Sequence, residues 1–143
     1  MSGTFQIRGG KRLQGDITPQ GAKNEALQIL CAVLLTDEEV RIKNIPDIHD
    51  VNRLIQILGD FGVKVTKNAH GDFTFKADDV NFDYIKSNEF KKDGAKLRGS
   101  IMLLGPMLAR YGEAYMPTPG GDKIGRRRLD THFQGLVELG AEF

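Results

Sequence analysis

Two segments of the chain repeat one pattern of apolar and polar positions. A shift of 74 residues places Ala26–Leu30 over Ser100–Leu104, with apolar residues at matching positions. In each copy a Gly-Ala-Lys triplet, at residues 21–23 and 94–96, precedes a stretch whose apolar residues fall on most sides of a helix. The pattern therefore predicts two copies of a unit that begins with a largely buried helix.

A strand and a second helix follow the first helix in both copies. The strand is predicted over Glu39–Ile45 and again over Glu113–Met116. The second helix is predicted over Val51–Phe61 and over Leu129–Leu139, which match at a shift of 78 residues. Because this shift exceeds the first by four residues, the second copy carries an insertion, which falls around Gly120–Lys123.

A β-hairpin is predicted to close the first copy. The segments Gly62–Val65 and Asp72–Lys76 alternate apolar and polar residues, and Asn68–Gly71 supplies turn residues between them. The second copy reaches only Gly140–Phe143, which is the counterpart of the first of these strands. An unfinished repeat indicates a natural domain that continues beyond Phe143.

The start of the chain belongs to neither copy. Alternation in Thr4–Arg8 and Leu13–Thr18, around Gly9-Gly10, predicts two strands. The combination of predicted strands and helices indicates an α/β fold of the α+β type. We expect mixed sheets, each with helices covering one face. The predicted organisation is a pair of strands at residues 1–20, a first repeat unit at 21–93 and an incomplete second unit at 94–143.

Charge and hydropathy argue against a nucleic-acid-binding or membrane-spanning protein. With 143 residues and 40% hydrophobic content, the chain can form one medium core or two small ones. Its net charge of +1 gives no overall field toward nucleic acid or anionic membrane, so any anion site must be local. The first residues lack an apolar signal segment and the apolar stretch Ala26–Leu35 is too short to span a bilayer, which predicts a cytoplasmic protein without a membrane partner. The single cysteine, Cys31, lies in that stretch and is expected to pack in the core.

Both predicted first helices begin with a cation. Lys23 and Asn24 open the first, and Lys96 to Arg98 open the second, where Arg98 aligns with Asn24. A cation at a helix N-terminus is unfavourable for the helix alone, and a bound phosphate or carboxylate reverses that penalty. The residues leave two interpretations open, an anion site or solvated cations without a ligand.

The insertion and the residues after it form a second candidate site. Glycines and a run of arginines surround Asp122, so the segment can approach a phosphate closely or move as a lid. The alternative is a surface turn followed by a solvated or RNA-contacting basic patch. The three histidines are too far apart in sequence to predict a metal site: His49, His70 and His132.

Four ordered motifs resemble the UDP-N-acetylglucosamine enolpyruvyl transferases. The similarity runs from Phe5 to the last residue. The motifs are Gly21-Ala22-Lys23-Asn24, Leu97-Arg98-Gly99-Ser100-Ile101, Pro119-Gly120-Gly121-X-X-Ile124-Gly125 with Arg127 after it, and Asp130-X-His132.

The resemblance implies a fold and a reaction. The family folds as two domains of repeated helix-and-sheet units, an inside-out α/β barrel, and this chain would hold a truncated part of it. The resemblance implies that the strands of residues 1–20 belong to one domain and the repeat units that follow belong to the other. The family transfers enolpyruvyl from phosphoenolpyruvate to the 3-hydroxyl of UDP-N-acetylglucosamine and releases phosphate, at the start of peptidoglycan synthesis. No cofactor, metal or nucleic-acid partner is implied, and the chain alone is expected to be inactive.

The resemblance also implies residue roles. Lys23 and Asn24 match the pair that contacts phosphoenolpyruvate and the sugar, and Lys23 is also implied to be catalytic. Arg98 matches an arginine that lines the same site. Asp122 matches the general acid, which is cysteine in most members and aspartate in a minority, so the aspartate implies resistance to fosfomycin. The segment matching the nucleotide-binding residues is Arg127, Arg128, Leu129, Asp130 and Thr131, with Arg128 in place of the usual proline.

Two other functions are weighed against this one. The related shikimate-pathway enolpyruvyl transferase shares the fold and phosphoenolpyruvate, but the loop 119–125 and the Asp130-X-His132 motif argue against it. An RNA-binding module would explain Arg126–Arg128, although near-neutral charge and the lack of adjacent aromatic residues leave no stacking platform.

Overall fold

The computed structural model describes residues 3–118, 120 and 128–143. Helices and one antiparallel sheet alternate along the chain, which confirms the α/β class. In order, the elements are α1 (Lys23–Ala32), extended by a 3₁₀ turn (Val33–Leu35), β1 (Glu39–Ile42), α2 (His49–Asp60), β2 (Lys64–Ala69), β3 (Asp72–Lys76), a 3₁₀ turn (Tyr84–Lys86), α3 (Asn88–Gly94), a 3₁₀ helix (Arg98–Leu103), α4 (Leu104–Tyr111) and α5 (Asp130–Glu138).

The sheet confirms the predicted hairpin. β3 lies between β1 and β2 and is antiparallel to both. Val40 and Val65 both pair with Phe75, which is fully buried, so the apolar face of the sheet turns toward the helices. On the opposite face Arg41 and Asp72 form a two-bonded ion pair, with nitrogen–oxygen distances of 2.9 and 2.7 Å.

The helix α1 joins the two copies in one hydrophobic core. Its residue Leu30 and the following Leu34 are fully buried, and they belong to the same cluster as Leu103 and Met107 of the second copy. The Arg110 guanidinium donates hydrogen bonds to the carbonyls of residues 34 and 36, at 3.1 and 2.8 Å, and so satisfies backbone acceptors at the end of the first helix. The copies are therefore packed against each other rather than linked as separate small cores.

An equivalent close contact occurs at the start of each copy. Gly21 lies against the backbone of Asn44 and the ring of Pro46, and Gly94 lies against the ring of Pro117. Gly94 and Pro117 are both 73 residues beyond Gly21 and Asn44, one residue short of the 74-residue shift of the first helices. Each copy therefore begins with a closely packed glycine, although the contacted atoms differ between the copies.

The second copy departs from its predicted helix and strand. Its first helix begins as the 3₁₀ segment and becomes α-helical only at Leu104, because Pro106 lacks the N–H that would bond to the carbonyl of Met102. The predicted strand Glu113–Met116 is wrong: these residues are irregular, and within the described part of the chain no strand lies beside them. β1 is also shorter than predicted, since Asn44 adopts a left-handed conformation with φ of 59°.

The predicted strands Thr4–Arg8 and Leu13–Thr18 are also wrong in this structure. Both segments are irregular, and their apolar side chains face solvent, with Phe5 94% and Leu13 93% exposed. A two-stranded hairpin is marginal without a third strand or a helix to cover it, and the described residues offer these side chains no such surface. The division at residues 20 and 93 stays a prediction.

Candidate functional site

A cleft of about 570 Å³ lies where α1, α2 and the 3₁₀ helix at 98–103 meet. The first turns of α1 and α2 border it, and neither helix has a side-chain cap, because the preceding residues are Ala22 and Ile48. The backbone N–H groups of these turns have no partner within their own helices. The lining residues are Lys23, Asn24, Leu27, Gln28, His49, Asp50, Arg53, Lys96, Arg98, Gly99, Ile101 and Met102.

Close packing brings the two first helices to the cleft. A side chain at Gly99 would lie 2.9 Å from the nearest methyl carbon of Leu27, so the 3₁₀ helix crosses α1 in close contact and a larger residue would displace the Leu27 side chain. The buried Ser100 hydroxyl lies 2.9 Å from the carbonyl of Gly94 and 2.7 Å from that of Leu97, which fixes the turn before this helix. Arg98 is held at the cleft by this arrangement.

Positive charge dominates the cleft. Four of its lining residues are cations and one, Asp50, is a carboxylate. The Lys23 ammonium donates to Asp50 at 3.0 Å across the gap between α1 and α2, and Lys96 donates to Asp93 at 3.1 Å. The local charge contrasts with the net charge of +1 for the whole chain, and it suits an anionic ligand.

The structure brings together three residues that the resemblance assigns to substrate. Lys23, Asn24 and Arg98 all line the cleft although 74 residues separate Asn24 from Arg98. Asp122 and Arg127 lie outside the described residues. Their roles stay predictions.

The remaining predicted residues lie elsewhere in the described structure. Arg128 donates to the carboxylate of Asp130, and both side chains are largely exposed. Leu129 borders an apolar groove beside Phe133 and Phe143, while Thr131 borders another between α4 and α5. Their proposed contacts with the nucleotide stay predictions.

Three cleft residues on α2 were missed by the sequence analysis. His49, Asp50 and Arg53 lie on one face of the helix, since residues three and four apart are neighbours. A signal existed: the 78-residue shift of the second helix places His49 over Arg127, which the resemblance assigns to substrate. Applying the repeat to functional residues as well as to helices would have identified this face.

Among the described residues, the cysteine, the potential metal ligands and the helices give no evidence of a second kind of site. Burial raises the pKa of the Cys31 thiol to about 12, so it is not a nucleophile near neutral pH. In the described part of the chain, no three His, Cys, Asp or Glu side chains are grouped as metal ligands would be. Over the same residues, none of the helices has the length and apolar character needed to cross a membrane.

Comparisons with known proteins identify relatives over nearly the whole chain. The chain is 59% identical over 140 residues to the UDP-N-acetylglucosamine 1-carboxyvinyltransferase of Bacteroides thetaiotaomicron, covering 98% of this chain and 32% of the relative. Identity to proteins of the same name is 56% over 138 residues in Porphyromonas gingivalis and 43% over 139 residues in Borreliella burgdorferi. These matches confirm the resemblance drawn from the motifs, and the chain spans about a third of the length of the curated relatives it matches.

A family model identifies the broader family to which these relatives are similar. The model for EPSP synthase (3-phosphoshikimate 1-carboxyvinyltransferase) matches residues 7–143, which include the cleft and all four motifs. The α/β structure, the repeated unit and the cationic cleft are consistent with that match. The chain belongs to the EPSP synthase family of carboxyvinyltransferases.

Proposed function

We propose that the chain is part of an enzyme that transfers enolpyruvyl from phosphoenolpyruvate to the 3-hydroxyl of UDP-N-acetylglucosamine, releasing phosphate in peptidoglycan synthesis. The observation that carries the proposal is the cationic cleft, in which Lys23, Asn24 and Arg98 meet from distant parts of the sequence. Relatives that bear the name of this transferase match the chain across the cleft residues. The cytoplasmic location and the inside-out barrel of the complete enzyme are part of the same proposal.

The cleft suits the charges that this reaction must hold. Phosphoenolpyruvate carries a phosphate and a carboxylate, and Lys23 and Arg98 are placed to neutralise them beside the open N–H groups of α1. Holding both groups fixes the orientation of the substrate and lowers the entropic part of the barrier. Asp50, bonded to Lys23, limits the movement of that ammonium group.

The proposed chemistry is an addition followed by an elimination. The sugar hydroxyl gives up its proton as its oxygen bonds to C2 of phosphoenolpyruvate, and C3 gains a proton. The tetrahedral ketal then loses phosphate and a proton from C3 to form the enol ether. Asp122 is the proposed acid. Because an ordinary aspartate with a pKa near 4 is ionised at neutral pH, its environment in the closed site must favour the protonated form.

A chimeric enzyme tests the proposal. In this chimera the matching third of the Bacteroides thetaiotaomicron relative is replaced by the present chain, and the unaltered relative is the positive control. We expect phosphate release that requires both phosphoenolpyruvate and UDP-N-acetylglucosamine, whereas the 143-residue chain alone should show none. A folded chimera that is inactive, or that prefers shikimate 3-phosphate as acceptor, would contradict the proposal.

A further inference from the structure

Arg53 differs from the other cations of the cleft in lacking a protein partner. It lies in the second turn of α2, lines the cleft and is half-buried. Across residues 3–118, 120 and 128–143, no carboxylate or carbonyl lies within bonding distance of its guanidinium. Its N–H donors therefore have no acceptor among the described residues.

Two other arginines of the chain donate hydrogen bonds to protein acceptors. The guanidinium of Arg41 holds Asp72 with two bonds, and the half-buried Arg110 donates to two backbone carbonyls. The Arg53 guanidinium has no such acceptor in the described part of the chain, so its five N–H donors are available to a ligand in the cleft.

The nearest carboxylate on α2 is already engaged. Asp50 is three residues before Arg53 on the same helix face, yet it accepts its bond from Lys23 at 3.0 Å. That ion pair bridges α1 and α2, so it belongs to the wall of the cleft. Arg53 is left as a cation that faces a ligand-sized space.

We propose that Arg53 binds a phosphoryl group of the substrate. The proposal rests on the function proposed above and extends it to a residue outside the four motifs. A planar guanidinium binds phosphate oxygens in pairs, and a cleft of about 570 Å³ accommodates a phosphorylated small molecule. Phosphoenolpyruvate and the UDP sugar both carry phosphoryl groups, and the two substrates are distinguished by their separate KM values.

The test uses the chimera with Arg53→Gln and Arg53→Lys. We expect Arg53→Gln to raise the KM for at least one substrate by about 10- to 100-fold, the usual effect of removing a charge-assisted hydrogen bond. Arg53→Lys keeps the charge but loses the paired donors, so a smaller rise is expected. The rise for phosphoenolpyruvate or for UDP-N-acetylglucosamine identifies which phosphoryl group is bound.

Arg110→Gln is the matched control, since Arg110 is also a half-buried arginine but has carbonyl partners. It should lower the unfolding midpoint and leave both KM values within about twofold. If Arg53→Gln behaves in the same way, Arg53 is structural and the proposal is overturned.

A second measurement separates this proposal from the proposed function. Inorganic phosphate is titrated into the 143-residue chain, and the Arg53 Nε–Hε resonance is followed by NMR. A saturable shift supports phosphoryl binding by Arg53 even if the chimera with Arg53 intact proves inactive. No saturable shift, together with an inactive chimera, would overturn both proposals, and unchanged KM values in an active chimera would overturn this one alone.

Discussion

The contact between Gly21 and Asn44 makes a strong prediction about stability. A side chain at Gly21 would overlap the carbonyl oxygen of Asn44 and approach Cδ of Pro46 to 3.3 Å. Asn44 cannot move easily, because it holds a left-handed φ of 59° and the next residue, Ile45, donates a backbone bond to Gly71 at 2.9 Å. Gly21→Ala must therefore separate the start of α1 from the segment that leads into α2.

The expected cost follows from overpacking. Forcing extra carbon into a closely packed site typically costs about 1–3 kcal/mol, and we expect Gly21→Ala to lower the free energy of unfolding by this amount. Gly59→Ala is the matched control, because Gly59 lies inside α2 and a side chain there meets nothing within 4 Å. That variant should be more stable by up to about 0.5–1 kcal/mol, the gain for a helix interior, since alanine favours helix more than glycine does and Gly59 is one residue from the end of α2.

Urea unfolding of the 143-residue chain, followed by far-UV circular dichroism, measures both changes. The two variants differ from the parent by the same single methyl group, so opposite shifts of the midpoint at a constant m-value would isolate the packing effect. Equal stability of Gly21→Ala and the parent would refute the reasoning. It would mean that the segment around Asn44 moves aside without any loss of the free energy of unfolding.

Four further predictions concern single side chains. Lys23→Ala should leave the melting temperature within a few degrees, because its ion pair is exposed and worth under about 1 kcal/mol, while phosphate release by the chimera collapses. A large loss of stability with normal turnover would contradict a substrate role. In the chimera, Asp122→Asn should lose about 10²–10⁴-fold in turnover, and Asp122→Cys should stay active but become sensitive to fosfomycin. A fosfomycin adduct on native Asp122, found by mass spectrometry, would contradict the prediction that an aspartate at this position resists the inhibitor. Hydrogen bonds from Arg41 lower the pKa of Asp72 to about 2, so this pair stabilises the fold above about pH 4 and its contribution is lost as pH falls toward 2. Asp72→Asn should weaken that acid dependence, as urea midpoints at several pH values would show, and an unchanged dependence would count against the pair. Cys31, with a pKa of about 12, should react with a disulfide reagent near pH 8 only after unfolding, and rapid reaction of the native chain would disprove its burial.

Local patterns predicted the first copy well. Helix α2 was expected over Val51–Phe61 and spans His49–Asp60, because its apolar residues recur at helical spacing and need only a core to cover them. The hairpin was predicted from the alternation of apolar and polar residues in its strands and from the turn that ends at Gly71, whose φ is +66°. Both signals lie within a few residues of the element that they specify.

The errors arose where structure depends on distant partners. The alternation in Thr4–Arg8 and Glu113–Met116 is typical of strands, but a strand also needs a neighbouring strand, and none pairs with these segments in the described structure. Lys23 and Arg98 were found because helix-start cations are visible in a sequence. Arg53 was missed because the repeat was applied to helices and not to functional residues, and its place beside Lys23 and Arg98 depends on how α1 packs against α2.

The shared core has a consequence for how the molecule opens. Leu30 and Leu34 of the first copy contribute to the same buried cluster as Leu103 and Met107 of the second, so neither copy can lose its packing while the other keeps it. Amide hydrogen exchange should therefore report one cooperative unit across α1, α2 and α4, with similar protection at equilibrium. Helix α5 has no buried residue, so its amides should exchange through a separate, lower-energy opening.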